Sequence, residues 1–218
     1  GVPYIDADGN LAYCTDYKEL TGSYANVRGN NWYVLQNSVI TSGELSVFGS
    51  ANLILCDGAT LTLHDTLRGV TFDGDSSLVL NIYLQGGGTG KLIVKNGLVK
   101  GSDESKMLII NLVSPGMKMV DKDGNPTDGV GSYFEISRCT DHVWEYKNQT
   151  DTTHDRVCTL CGTTETGIAH TMKAWQSKDK DDHLHYKVCA CGKAYEKANH
   201  RFVKSVPNPD GLTCTPVC

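Results

Sequence analysis

Long apolar runs, proline and an excess of positive charge are all scarce in this chain, and each scarcity excludes something. The longest apolar stretch covers residues 107–110, with Leu112 and Val113 beyond Asn111. A helix needs ~20 apolar residues to cross a bilayer, so no membrane span is expected. Lys and Arg total 20 against 25 Asp and Glu, for a formal net charge of -5 and a pI of about 5.8. That balance gives no electrostatic ground for a nucleic-acid partner. No leader segment is legible at the start, although Gly1 before the polar Val-Pro-Tyr-Ile-Asp stretch is compatible with a cleavage scar.

What is present is glycine, β-branched sequence and cysteine. Only 6 of 218 residues are proline against 23 glycines, and 39% of the chain is hydrophobic. This is enough for a buried core and too apolar for a disordered chain. Up to residue 137, short β-type runs fall at 32–35, 44–47, 52–56, 60–63, 70–72, 78–84, 91–94 and 107–113. Several alternate with period 2, as in Leu61/Leu63, Leu78/Leu80/Ile82/Leu84 and Leu92/Val94, which sets one face inward and one outward. Glycine and aspartate separate them, as at Gly58, Gly69, 73–75 and 86–90. A mainly β fold follows. For residues 1–137 a parallel β-solenoid of about four coils is expected, each coil covering what its neighbour cannot bury alone. The alternative is an antiparallel β-sandwich.

From residue 138 the pattern changes. Six of the 7 histidines and a repeat of His/Cys phrases lie in residues 138–218. The first unit is His154-x3-Cys158-x2-Cys161-Gly162 with a closing His170. The second is His185-x3-Cys189-x-Cys191-Gly192 with a closing His200. In both, the closing histidine lies nine residues after the second cysteine. Zn²⁺ takes four tetrahedral N/S ligands, and two cysteines around a glycine-ended turn offer two thiolates to one ion. Such an ion would also stabilise units with little apolar sequence of their own. Two small zinc modules are therefore expected, with ligand sets His154, Cys158, Cys161, His170 and His185, Cys189, Cys191, His200.

Alternatives stay open at this level. Cys139-x2-His142 is itself ligand spacing and combines with Cys158-x2-Cys161 into a ribbon-like set. By analogy His170 then replaces His200 in the second site. In an oxidising compartment disulfides compete, although they require no histidine at fixed offsets and Cys189-x-Cys191 is a strained local pair. The remaining disulfide candidates are Cys14 with Cys56, and Cys214 and Cys218 with each other or with Cys139.

The phrases Cys14-Thr-Asp-Tyr17, Asn31-Trp-Tyr-Val34, the segment 52–63 and Gly87-Gly-Thr-Gly-Lys-Leu92 resemble modular secreted or cell-surface proteins of anaerobic gut bacteria. In these a short right-handed β-helix-like region precedes modules of the form His-x-Trp … His-x3-Cys-x2-Cys-Gly … His. The resemblance implies an extracellular, non-enzymatic role. The chain is accordingly expected to be a scaffold, adhesion or ligand-binding protein with structural zinc, and with a glycan or a host or cell-surface protein as partner. The Cys189-x-Cys191 gap departs from the two-residue spacing of those modules.

Other signals are weaker. Asp121-Lys-Asp-Gly-Asn125 begins like a calcium loop, but Pro126 replaces the sharp-turn glycine and Ser132 the closing glutamate, so a β-turn is expected. Asp6-Ala-Asp-Gly-Asn10 reads likewise. His64-Asp65 lacks a nucleophile context. No catalytic residue is assigned; a glycan-binding or glycan-degrading role would draw on Asp73 and Asp75, or on Trp32, Tyr33 and Tyr83 for sugar stacking.

Overall fold

A computed structural model of the chain describes residues 1–23, 26–71, 78–99, 107–177, 184–199, 204–209, 211 and 214–217, with backbone alone at 174–177, 184–186, 194–199, 204 and 214–217. Every regular element among the described residues is a strand, and no helix long and apolar enough to cross a membrane occurs there.

The chain opens with an antiparallel hairpin, β1 (Val2–Ile5) and β2 (Leu11–Cys14). Its turn is closed by Asp6 Oδ1, which accepts from the backbone N–H groups of Asp8 and Asn10 at 3.0 and 2.8 Å. Three sheets follow. The first contains β3 (Lys18–Glu19), β5 (Trp32–Leu35), β8 (Ser50–Leu55), β11 (Val79–Leu84) and β14 (Ile109–Leu112), all parallel. The second contains β6 (Val39–Thr41), β9 (Thr60–Leu63) and β12 (Lys91–Val94), also parallel. The third contains β4 (Asn26–Arg28), β7 (Leu45–Phe48), β10 (Leu67–Val70) and β13 (Leu98–Val99), parallel again. From β5 onward the chain visits first, second and third sheet in a fixed rotation. Register steps lengthen along it: Trp32 pairs with Asn52, Asn52 with Asn81 and Asn81 with Asn111.

Alternation explains what each sheet buries. Leu35, Leu55 and Leu84 align across the first sheet, Leu61 and Leu92 across the second, and Leu45, Leu67 and Leu98 across the third. All are buried in one apolar core. Side chains stacked at the ~4.8 Å inter-strand spacing exclude water as columns, so each strand covers part of its neighbour. On the opposite face of the first sheet runs an amide ladder. Asn52 Nδ2 donates to Asn30 O at 3.2 Å, Asn81 Nδ2 to Asn52 Oδ1 at 3.0 Å, and Asn111 Nδ2 to Asn81 Oδ1 at 2.9 Å. Beside it Tyr4, Trp32 and Tyr83 pack on one another with ring centroids 4.9 to 5.1 Å apart.

Parallel stacking in the second sheet ends when β16 (Phe134–Arg138) inserts antiparallel between β12 and β15 (Met117–Val120). Phe134 pairs with Val94 and Ile136 with Leu92, so both extend the aliphatic columns. Between β15 and β16, Asp121 Oδ1 accepts from the N–H groups of Asp123 and Asn125, both at 2.9 Å. Its carboxylate is engaged in a turn, as the sequence leads one to expect.

The expected strands at 60–63 and 91–94 coincide with β9 and β12. Parallel pairing in all three sheets overturns the antiparallel sandwich. Tyr33 is buried in the core with its hydroxyl accepting from Arg28 N–H at 3.1 Å, so it offers no stacking face to a sugar. His64 is exposed just beyond β9. Asp73 and Asp75 lie outside the described residues.

The chain divides into two compact units: residues 1–144 with 158–163, and 145–157 with 164–218. The division falls a few residues after the expected 137/138 boundary, and the segment 158–163 belongs with the first unit. The remaining strands form a three-stranded sheet of β17 (Trp144–Lys147), β18 (Thr153–Cys158) and β19 (Thr164–Ala169), and a second of β20 (Met172–Ser177), β21 (Leu184–Cys189) and β22 (Ala194–Asn199). A final antiparallel pair joins β23 (Lys204–Pro207) to β24 (Cys214–Val217).

Candidate metal centres

Two knuckles set the thiols. Cys158 ends β18 and Cys189 ends β21. In the first, Gly162 N–H returns to Cys158 O at 2.9 Å; in the second, Gly192 N–H returns to Cys189 O at 2.9 Å. Both glycines have positive φ, +71° and +88°, a conformation that costs other residues strain. Cys158 N–H donates to Thr163 O at 2.8 Å and Cys189 N–H to Lys193 O at 3.0 Å. One backbone shape thus serves both knuckles, although one has a residue fewer between its cysteines.

Each knuckle meets a pair of donors from earlier in the chain. Cys139, just past β16, and His142 join Cys158 and Cys161; His154 and His170 join Cys189 and Cys191. In each group the donor atoms lie within 4.8 Å of one another. In the first, Cys139 Sγ is 3.9 Å from Cys158 Sγ, and His142 Nδ1 is 3.5 Å from the sulfurs of both Cys139 and Cys161. In the second, His154 Nδ1 is 3.2 Å from His170 Nδ1, which is 3.4 Å from Cys191 Sγ. A tetrahedral zinc with bonds of about 2.3 Å to sulfur and 2.05 Å to nitrogen would space its ligands about 3.8 Å (S to S), 3.6 Å (S to N) and 3.3 Å (N to N). The observed separations fall close to all three. The sulfur pair is also far longer than the ~2.05 Å of a disulfide.

Histidine orientation fits the same purpose. His170 Nε2 lies 3.3 Å from Thr150 O; donating there fixes the proton on Nε2 and leaves Nδ1 as a lone pair facing the thiols. The His142 ring packs on Trp144 at 4.8 Å, and the His154 ring meets Tyr146 edge-on at 5.0 Å.

Electrostatics divides the thiols within each group. Burial alone would raise the Cys158 thiol, but hydrogen bonds from His142 and from the backbone bring it down to about 6. For Cys189, burial is again outweighed, here by the Cys191 backbone N–H and His170, to about 7. Cys139 moves oppositely, up to about 12, through burial first and then the neighbouring Cys161 and Cys158 thiols. Burial, then His170 and Arg156, holds His154 below the ordinary histidine value. A dication would stabilise thiolate at every sulfur and needs neutral imidazole.

These groupings correct the expected ligand sets. His154 and His170 fall in one donor group, and Cys158 and Cys161 in the other. His154 and Cys158 are four residues apart on the extended strand β18, about 13 Å at ~3.3 Å per residue. The alternates Cys139 and His142 complete the first group, and His154 with His170 joins the second knuckle. His200 and Cys218 lie outside the described residues; His185 and Cys214 are described by backbone alone, in β21 and β24. The Cys14–Cys56 bridge is not formed: both are buried free thiols. Cys14 Sγ donates to Asp16 O at 3.5 Å, and burial, with Asp57 adding, pushes Cys56 up to about 11. Strand geometry alone separates His154 from Cys158, whereas nothing in local spacing links His154 to Cys189.

No protein-family model, curated protein or solved structure matches the chain.

Proposed function

We propose that the chain is a non-catalytic extracellular scaffold or adhesive module, in which a short right-handed β-solenoid is followed by hairpin modules held by two structural zinc ions. One observation carries this reading. Among the described residues after Ser137, the buried side chains are Cys139, His154, Cys158 and Cys189, and all four belong to the two donor groups. Where a larger domain has a hydrophobic core, this region has candidate metal ligands. A bound ion would supply the stability that so little apolar burial cannot.

The nitrogen and sulfur donors and their tetrahedral spacing favour zinc over harder cations. Four protein donors per group close the coordination shell, which suits a structural ion and leaves no position for substrate. The rotation of the chain through three parallel sheets, the aliphatic columns and the asparagine ladder support the solenoid. Placement outside the cell, and a glycan or cell-surface protein as partner, follow from the resemblance to secreted modular proteins.

The test is elemental mass spectrometry on untagged chain never exposed to added zinc, with thiols counted in denaturant before and after chelation. Bound zinc is expected, with Cys139, Cys158, Cys161, Cys189 and Cys191 all recovered as thiols. Metal-free protein with these cysteines in disulfides would contradict the zinc assignment. Release of reducing ends from a polysaccharide by the purified chain would contradict the non-catalytic role.

A further inference from the structure

The two donor groups differ in what they connect. In the first, Cys139 and His142 directly follow β16, and Cys158 and Cys161 form the β18 knuckle. In the second, His154 sits on β18 and His170 directly follows β19, whereas Cys189 and Cys191 form the knuckle of β21. The second centre therefore draws its imidazoles from one three-stranded sheet and its thiols from the next.

Polar contacts at the surface also tie these two sheets. Gln149 Nε2 donates to Cys191 O at 2.8 Å. Lys193 Nζ donates to Thr150 O at 2.5 Å and to Asp151 Oδ1 at 2.7 Å, and the Asp151 side chain is 98% exposed. Solvent screens exposed ion pairs, so this one holds weakly. The apolar core cluster contains no residue beyond Ile136 among those described. The ion of the second centre would join the two sheets directly, through donors drawn from both.

The centres also differ in hold. The first offers three thiols and one imidazole, the second two thiols and two imidazoles. Each buries two of its donors, Cys139 and Cys158 at 5% and 1% exposed and His154 and Cys189 at 3% and 4%, and leaves the other two more open. Thiolate is the softer donor and adds negative charge opposite Zn²⁺, so the first centre should keep its ion against a competitor that strips the second.

We propose that the second centre is a zinc-operated joint. Its ion locks the β17–β18–β19 sheet to the β20–β21–β22 sheet, and loss of that ion frees the second sheet while the first centre stays loaded. This rests on the structural-zinc reading above and adds an order of release and a mechanical consequence.

The test is a chelator titration of the zinc-loaded full chain. It follows zinc release with a colorimetric indicator, shape by small-angle X-ray scattering, trypsin cleavage at Lys173, and alkylation of Cys161 and Cys191 by mass spectrometry. Release in two steps is expected, separated by at least 10-fold in chelator. After the first step the radius of gyration rises, Lys173 is cleaved and Cys191 is alkylated, while Cys161 is still protected. His154→Ala should reproduce that state without chelator and hold one zinc fewer than the parent chain. Simultaneous release, earlier exposure of Cys161, or a first step that leaves scattering and cleavage unchanged would overturn the joint while leaving structural zinc in place. A chain that neither carries nor takes up zinc would instead overturn the reading beneath it. The wild-type titration decides the matter even if His154→Ala does not fold.

Discussion

Replacing Asn81 with alanine removes the middle rung of the amide ladder, and the neighbours set the size of the effect. Asn81 donates to Asn52 Oδ1 and accepts from Asn111 Nδ2 at 3.0 and 2.9 Å. Asn52 is 6% exposed, so its oxygen cannot recruit water in exchange, whereas the exposed Asn111 can. A lost hydrogen bond is worth about 0.5–1.5 kcal/mol, and a buried acceptor left unpaired costs about 1–3 kcal/mol. Asn81→Ala should therefore destabilise by about 2–3 kcal/mol, and Asn111→Ala, at the exposed end, by about 0.5–1 kcal/mol. Urea unfolding in a Trp144→Phe, Trp175→Phe background measures this, because Trp32 then reports alone, and its backbone pairs with Asn52. Equal costs for the two variants, or a cost below about 0.5 kcal/mol at Asn81, would refute the claim that the amide ladder, buried at Asn52, staples the parallel strands in register.

Three further outcomes follow from single features. Gly97 has φ +77°, and a Cβ there would lie 2.3 Å from Ser132 N and 2.5 Å from Gly129 O; both are backbone atoms, so Gly97→Ala should cost more than about 2 kcal/mol in urea unfolding, and a neutral result would contradict the packing. Asp121 titrates below the ordinary carboxylate value, chiefly because the Asn125 backbone N–H binds the ionised form, with help from Asp123; its depressed folded-state pKa means the turn is stabilised at neutral pH and weakened as pH falls through that pKa. A carboxyl NMR titration of Asp121 should show the lowered midpoint, and a midpoint at or above 3.8 would contradict the turn. Alkylation of the native zinc-loaded chain should spare Cys14 and Cys56, and chelation should leave both unmodified because burial, not metal, protects them; labelling of either on chelation would place it at a metal.

The sequence was most legible where one physical signal dominated. Strict alternation at 60–63 and 91–94 located β9 and β12, because each strand buries every second residue. It was least legible at β6 and β13, whose 3 and 2 residues are too short to show a period. The role of β16 was also hidden, since the antiparallel insertion of Phe134 and Ile136 depends on partners some 40 residues earlier. Cysteine and histidine spacing identified the donors of both centres but grouped them by nearness in sequence. An extended strand separates residues four apart and brings together residues from neighbouring hairpins, so His154 ends beside Cys189 rather than Cys158.

The most direct test of the metal centres is ¹¹³Cd NMR of the cadmium-substituted chain, because the cadmium shift moves downfield with each added thiolate ligand. Resonances of two kinds are expected: one from a three-sulfur, one-nitrogen site that disappears in Cys139→Ser, and one from a two-sulfur, two-nitrogen site that disappears in His154→Ala. Loss of a single shared resonance in both variants, or resonances that neither substitution affects, would contradict the division of the donors into these two centres.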